Sequence, residues 1–74
     1  MTTEYLQDLM FMARNEKRHN TGWAQPIERI IAGTSTAQDR HNVAHMVRCE
    51  RITLELRGVD ASYDLGLEAA ILAI

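Results

Sequence analysis

The stretch from Ser35 to Gly58 is the longest part of the chain that contains no proline and no internal glycine. At its start, Ser35 and Thr36 carry hydroxyls that can accept hydrogen bonds from the unpaired amides of a first helical turn. Gly58 fits the other end, because a glycine in the left-handed conformation often follows the last helical residue. This pattern predicts a long central helix over about residues 36–57.

The predicted central helix has apolar residues on two sides. At about 100° per residue, one side carries Val43, Met46, Val47 and Leu54. The nearly opposite side carries His41, His45, Cys49, Ile52 and Leu56. A surface helix of a monomer normally has one apolar stripe, so the second side predicts a subunit interface. We therefore expect a homodimer, with this second row as the interface.

Residues 52–57 allow a second interpretation. Apolar and polar residues alternate strictly there, which is typical of a half-buried strand. No second alternating run offers a partner strand. Glu50, Arg51 and Glu55 favour helix, since Arg51 and Glu55 are spaced as an ion pair on one helix face. We favour the helix.

Shorter helices are predicted on both sides of the central one, over about residues 3–19, 26–32 and 61–74. Thr2 or Thr3 can cap the first, Pro26 and Gly33 bracket the second, and Asp60 or Ser62 can cap the third. The last helix is apolar on almost every side, so we expect it to be deeply buried or shared between subunits. Residues 1–74 therefore form one all-α domain, a small bundle of three to four helices with the central helix packed on both sides.

Charge and cysteine content narrow the possible classes of protein. The net charge is -2 and the basic residues are scattered, which gives no footprint for nonspecific nucleic-acid binding. Cys49 is the single cysteine and excludes an intrachain disulfide. No signal peptide is evident, and the apolar run from Leu65 to Ile74 is shorter than the roughly 20 residues that span a bilayer. We expect a cytoplasmic protein that does not act in a membrane.

No set of residues predicts catalysis, a cofactor or a metal site. Ser35 and Ser62 are better explained as helix caps, and no glycine-rich phosphate loop occurs. His41, His45 and Cys49 are all possible zinc ligands in one helical row. However, His41 and Cys49 are separated by about 12 Å of helical rise, while bonds to zinc are about 2 Å long. We expect neither an enzyme nor a metal protein.

The segment from Ser62 to Ile71 resembles the turn region of helix-turn-helix repressors, in which a glycine, here Gly66, separates two short helices. The resemblance implies a DNA-binding regulator whose recognition helix is Leu67 to Ile74. That helix would carry Glu68 and no Arg, Lys, Asn or Gln to read base edges. We therefore keep DNA binding as an alternative and do not expect nucleic acid as the partner.

Phe11 lies off the core stripe of the first predicted helix, on the far side with Arg14 and Arg18. It is either an isolated exposed apolar residue or part of an aromatic and arginine patch of the kind enriched at protein interfaces. Trp23, in the next connection, is either a lid over the core or a further binding anchor. We favour a small non-enzymatic protein-interaction module, an inhibitor or regulator, that binds a protein partner through Phe11, Arg14, Arg18 and Trp23.

Small chains without catalytic residues include proteins that phages use against host defence, an analogy that rests on size alone. The other alternative is a binder of a small ligand or nucleotide at the subunit interface, where His41, His45 and nearby arginines would hold an anion.

Overall fold

A computed structural model, which describes all of residues 1–74, contains four helices and no strand. They are α1 (Thr3–Arg18), α2 (Ala24–Ala32), α3 (Ala37–Leu56) and α4 (Ser62–Leu72). The predicted all-α fold is confirmed. Residues 52–56 continue α3, so the strand interpretation of this segment is wrong.

The start of α3 is fixed by a reciprocal pair of hydrogen bonds. The Asp39 amide donates to Thr36 Oγ1 at 3.1 Å, and the Thr36 amide donates to Asp39 Oδ2 at 3.0 Å. This capping box satisfies two donors that the helix itself leaves unpaired. At the other end, Gly58 has a φ of 74°, as expected for the residue that turns the chain out of a helix.

The limits of the two neighbouring helices differ from the predicted ones by at most two residues. α2 begins at Ala24, so Pro26 is its third residue. Proline is tolerated there because the first amides of a helix have no partner within it. α4 ends at Leu72, and its start is held by Asp60, whose Oδ1 accepts a hydrogen bond from the Ser62 amide at 3.0 Å.

All four helices contribute to one small core. α3 packs against α2 and α4, and α1 packs against α2. The cluster of buried core residues consists of Leu9, Ala13, Ile27, Ile30, Val43, Ala44, Val47, Leu67 and Ile71. It includes Val43 and Val47 from the predicted inner side of the central helix, while Met46 packs against it at the edge.

Two carboxylates join neighbouring helices. Asp39 accepts two hydrogen bonds of 2.8 Å from the Arg29 guanidinium, and thereby ties α2 to the first turn of α3. Glu68 on α4 accepts from Arg48 Nε at 2.8 Å and from Arg51 Nε at 3.1 Å, both on α3. Bonding to Arg29, and then to Thr36, holds the pKa of Asp39 well below its usual range.

Within a single chain, several apolar side chains of α1, α3 and α4 are left uncovered. Met10, which follows the buried Leu9 in α1, is 48% exposed because it lies at the edge of the core stripe of that helix. α4 is not buried on all sides, since Leu65 and Leu72 face outward. The chain covers only one of the two sides of α3, because the other three helices lie on its inner side. No helix is long and apolar enough to cross a membrane.

α4 runs without interruption through Gly66, so the turn that the helix-turn-helix resemblance implies is not formed. The glycine has a different role. A Cβ atom at this position would collide with the Tyr5 hydroxyl oxygen and lie 3.4 Å from the Tyr5 ring carbon Cζ. The Tyr5 ring is held edge-to-face against Tyr63, with 5.3 Å between the ring centroids. Gly66 thus leaves room for the Tyr5 side chain of α1 against α4.

We predict that Gly66→Ala destabilises the protein. The overpacking against Tyr5 costs about 1–3 kcal/mol, which outweighs the roughly 1 kcal/mol that alanine gains over glycine in a helix. In a Tyr5→Phe background the colliding hydroxyl is gone, and Gly66→Ala should become neutral or stabilising. Urea unfolding of the four proteins in this double-mutant cycle measures both effects. Equal effects of Gly66→Ala in the two backgrounds would show that Tyr5 does not constrain Gly66.

Candidate interaction surfaces

The outer side of α1 combines positive charge with exposed apolar groups. Its residues, which we call the cationic face, are Met10, Phe11, Arg14, Lys17 and Arg18. The Phe11 side chain is 62% exposed. Phe11, Arg14, Asn15 and Arg18 line one shallow depression, so the structure brings together three of the four residues that were predicted to bind a partner.

A second shallow depression lies between α1 and α2, and Arg14 borders both. Its walls include the apolar side chains of Met10, Ala13 and Ile31, with Lys17 and Glu28 at the edge. The sequence pattern did not predict this depression, because its two sides come from different helices. Arg14 therefore stands between an aromatic depression and an aliphatic one.

The basic residues of the cationic face have no acidic partner. The ion pairs of the protein use Arg29, Arg48 and Arg51, and none includes Arg14, Lys17 or Arg18. Glu16, the acidic residue nearest to them in sequence, instead accepts a hydrogen bond from the Thr21 hydroxyl. A chain with a net charge of -2 thus presents three basic side chains without an ion pair on one helix face, and Glu28 is the acidic residue that borders the same depression as Arg14 and Lys17.

Trp23 stands apart from this group. It precedes the first residue of α2, its side chain is 38% exposed, and its amide donates to Thr21 Oγ1 at 3.3 Å. It lines neither of the two depressions beside Arg14. The structure therefore does not place Trp23 with Phe11, Arg14 and Arg18.

The predicted interface row on α3 is exposed along its whole length. His41, His45, Cys49, Ile52 and Leu56 all face away from the core. Leu56 is 84% exposed and Ile52 is 44% exposed. Cys49 Sγ lies 3.5 Å from His45 Nε2, while no group of three or more His, Cys, Asp or Glu side chains is arranged to hold a metal ion.

The outer side of α4 adds to this row. Leu65, Ala69 and Leu72 are exposed and share one side of the helix, opposite the buried Leu67 and Ile71. We call the combined surface of Ile52, Leu56, Leu65, Ala69 and Leu72 the aliphatic face. The spacing of Leu65, Ala69 and Leu72 at i, i+4 and i+7 could have indicated a second stripe on α4.

Acidic side chains from three helices influence one another near the start of α4. The pKa of Asp64 is raised by burial and by the charge of Asp8. The pKa of Glu50 is raised by burial, then by the charges of Asp64 and Asp8. Asp64 Oδ2 is buried without a hydrogen-bond partner. The ionised forms of Asp64 and Glu50 are therefore disfavoured in the folded state, unlike that of Asp39.

Comparisons of the chain with models of protein families, with curated proteins and with solved structures give no match.

We predict opposite effects for the same substitution at two aspartates. Asp64→Asn should stabilise the protein at pH 7, by about 1 kcal/mol, because it removes a buried carboxylate that repels its neighbours. Because the pKa of Asp64 is raised in the folded state, the gain in stability shrinks as the pH falls through that pKa and disappears below the ordinary aspartate value. The readout is urea unfolding in steps from pH 7 to pH 3.

Asp39→Asn is the matched control and should destabilise the protein at pH 7. Since the folded-state pKa of Asp39 is lowered, its carboxylate contributes stability above the ordinary value of 3.8, and this contribution is lost as the pH falls further. As the pH falls, the free energy of unfolding should therefore approach the wild-type value from above for Asp64→Asn and from below for Asp39→Asn. If both substitutions changed the free energy of unfolding in the same direction at pH 7, the opposite roles given to the two carboxylates would be refuted.

Proposed function

We propose that this protein is a small non-enzymatic interaction module that binds a protein partner through the cationic face of α1 and acts as an inhibitor or regulator. The observation that carries the proposal is the exposed Phe11 side chain, which lines one depression with Arg14 and Arg18, two arginines that form no ion pair within the chain. Aromatic residues and arginine are the residue types that contribute most binding energy at protein interfaces.

The charge and shape of this face indicate the chemistry of the partner. Three unpaired cations attract a surface that carries carboxylates, and this attraction raises the rate of encounter. The depression beside Met10 and Ile31 offers an apolar floor for one side chain of the partner. We infer a partner whose binding segment has acidic residues around an apolar anchor.

A face of this kind acts by occupying the surface of its partner. α1 is held by the buried Leu9 and Ala13, so the cationic face is presented on a regular helix and little ordering is needed on binding. Such a module competes with other ligands of the same surface, which is how a small inhibitor or regulator works. The exposed thiol of Cys49 is compatible with a reducing compartment, and we place the protein in the cytoplasm.

We predict that Phe11→Ala and Arg14→Ala leave the fold intact and remove partner binding. Both side chains are exposed, so the free energy of unfolding should change by no more than about 0.5 kcal/mol. For the binding arm, a photoreactive phenylalanine analogue at position 11 should crosslink one partner in an extract of the source cells. The crosslink should be lost when Arg14 and Arg18 are both replaced by alanine.

Two controls separate binding from folding. The same photoreactive group at the exposed position 38 on α3 should not capture this partner, and Arg57→Ala removes one exposed arginine elsewhere and should leave the crosslink unchanged. If Phe11→Ala and Arg14→Ala instead unfold the protein, the patch is structural. If capture survives the loss of both arginines, the cationic face is not the binding site.

We also propose that the chain is a homodimer whose subunit interface includes the row His41, His45, Cys49, Ile52 and Leu56. The support is the exposure of the entire row, above all of Leu56. An aliphatic side chain that is 84% exposed on a regular helix has much apolar area to bury against another molecule.

A further inference from the structure

The aliphatic face is continuous across two helices. Residues 57–61 connect α3 to α4, and so short a connection makes the two helices antiparallel neighbours. Their register is set by Glu68, which binds Arg48 and Arg51. Leu65, three residues before Glu68, is therefore level with the part of α3 that follows Arg51, where Ile52 lies. Leu65 and Ile52 are 53% and 44% exposed.

The charged side chains of α3 and α4 beside this face are paired within the chain. Arg48 pairs with Glu68, and Arg51 pairs with both Glu55 and Glu68. A second copy can therefore approach the aliphatic face without a net repulsion between like charges. The cationic face differs in this respect, because two copies of it would bring six unpaired positive charges together.

The size of the face suits a dimer. The chain has 4919 Å² of accessible surface, of which a standard interface of about 800 Å² per partner would take roughly one sixth. Ile52, Leu56, Leu65 and Leu72 are 40–84% exposed, so they can form the apolar centre of such an interface, with polar neighbours at its rim. Apolar surfaces of this kind are typical of homodimers rather than of transient complexes.

We propose that a second copy of the chain is seated on the aliphatic face, with Ile52, Leu56, Leu65 and Leu72 at the centre of a two-fold interface. This inference rests on the proposed homodimer and moves the centre of its interface toward α4. The contribution of α4 replaces that of His41, which lies four turns of α3 away from Leu56 and outside the aliphatic area.

Sedimentation equilibrium tests the proposal on the full chain. The wild type should have twice the chain mass of 8.4 kDa at micromolar concentration. Leu65→Lys combined with Leu72→Lys should raise the dimer dissociation constant at least about thirtyfold, because four charges would enter the apolar interface. Both positions are exposed in one chain and lysine is a good helix former, so circular dichroism should show an unchanged helix content. Ile52→Lys with Leu56→Lys is a second pair that should act in the same way.

Two further variants locate the centre of the interface. Phe11→Ser removes a comparably exposed apolar side chain on the cationic face and should leave the dissociation constant unchanged. His41→Gln, at the far end of the proposed row, should change it much less than either lysine pair does. If the wild type is dimeric but only the histidine variant weakens it, the α4 part of the proposal is wrong and self-association stands. If the wild type is monomeric up to millimolar concentration, the α4 interface and the self-association are both wrong, and another molecule covers the face. Neither result bears on partner binding by Phe11 and Arg14.

Discussion

The small size of the hydrophobic core determines which side chains of this structure can be buried. Nine buried residues from four helices form the core cluster, and each helix buries one narrow stripe in it. A chain of 74 residues has too much surface for its volume to bury more. Leu9, Ile27, Val43 and Leu67 have almost no exposed area, while Phe11, Ile52, Leu56 and Leu65 are left outside. The exposed aliphatic groups are thus a consequence of fitting four helices around so few core positions.

Polar contacts between helices fix the helix register, which packing of the core alone does not determine. Aliphatic packing is non-directional, so it sets the distance between helices better than their register. Asp39 binds both the α2 arginine and the first turn of α3, and Glu68 binds two arginines one turn apart on α3. Both carboxylates are nearly buried, and their pKa values are lowered because these hydrogen bonds outweigh the effect of burial. Asp64, which has no such partner, shows the opposite shift.

Local signals in the sequence predicted the helices well and their packing less well. Thr36 with Asp39, and the glycines after α2 and α3, determine helix ends through contacts within a few residues. The ion pair of Arg29 with Asp39, and the fit of Tyr5 against Gly66, join residues on different helices, and no local pattern contains that information. The same holds for the two surfaces. Phe11, Arg14 and Arg18 share one helix and were predicted together, whereas the part of the aliphatic face on α4 depends on how α3 and α4 pair.

The segregation of charge between the two faces would suit them to different partners. The cationic face repels a copy of itself and attracts acidic surfaces, while the aliphatic face has no net charge beside it and is complementary to itself. A dimer formed through α3 and α4 leaves α1 of each copy uncovered, because the residues of the cationic face belong to another helix on another side of the core. Two cationic faces on one particle would bind an acidic partner with two sites far more tightly than one face could, provided that the spacing allows both to be engaged. Dimerisation would then strengthen partner binding through avidity, without any change in the contacts that Phe11 and Arg14 make.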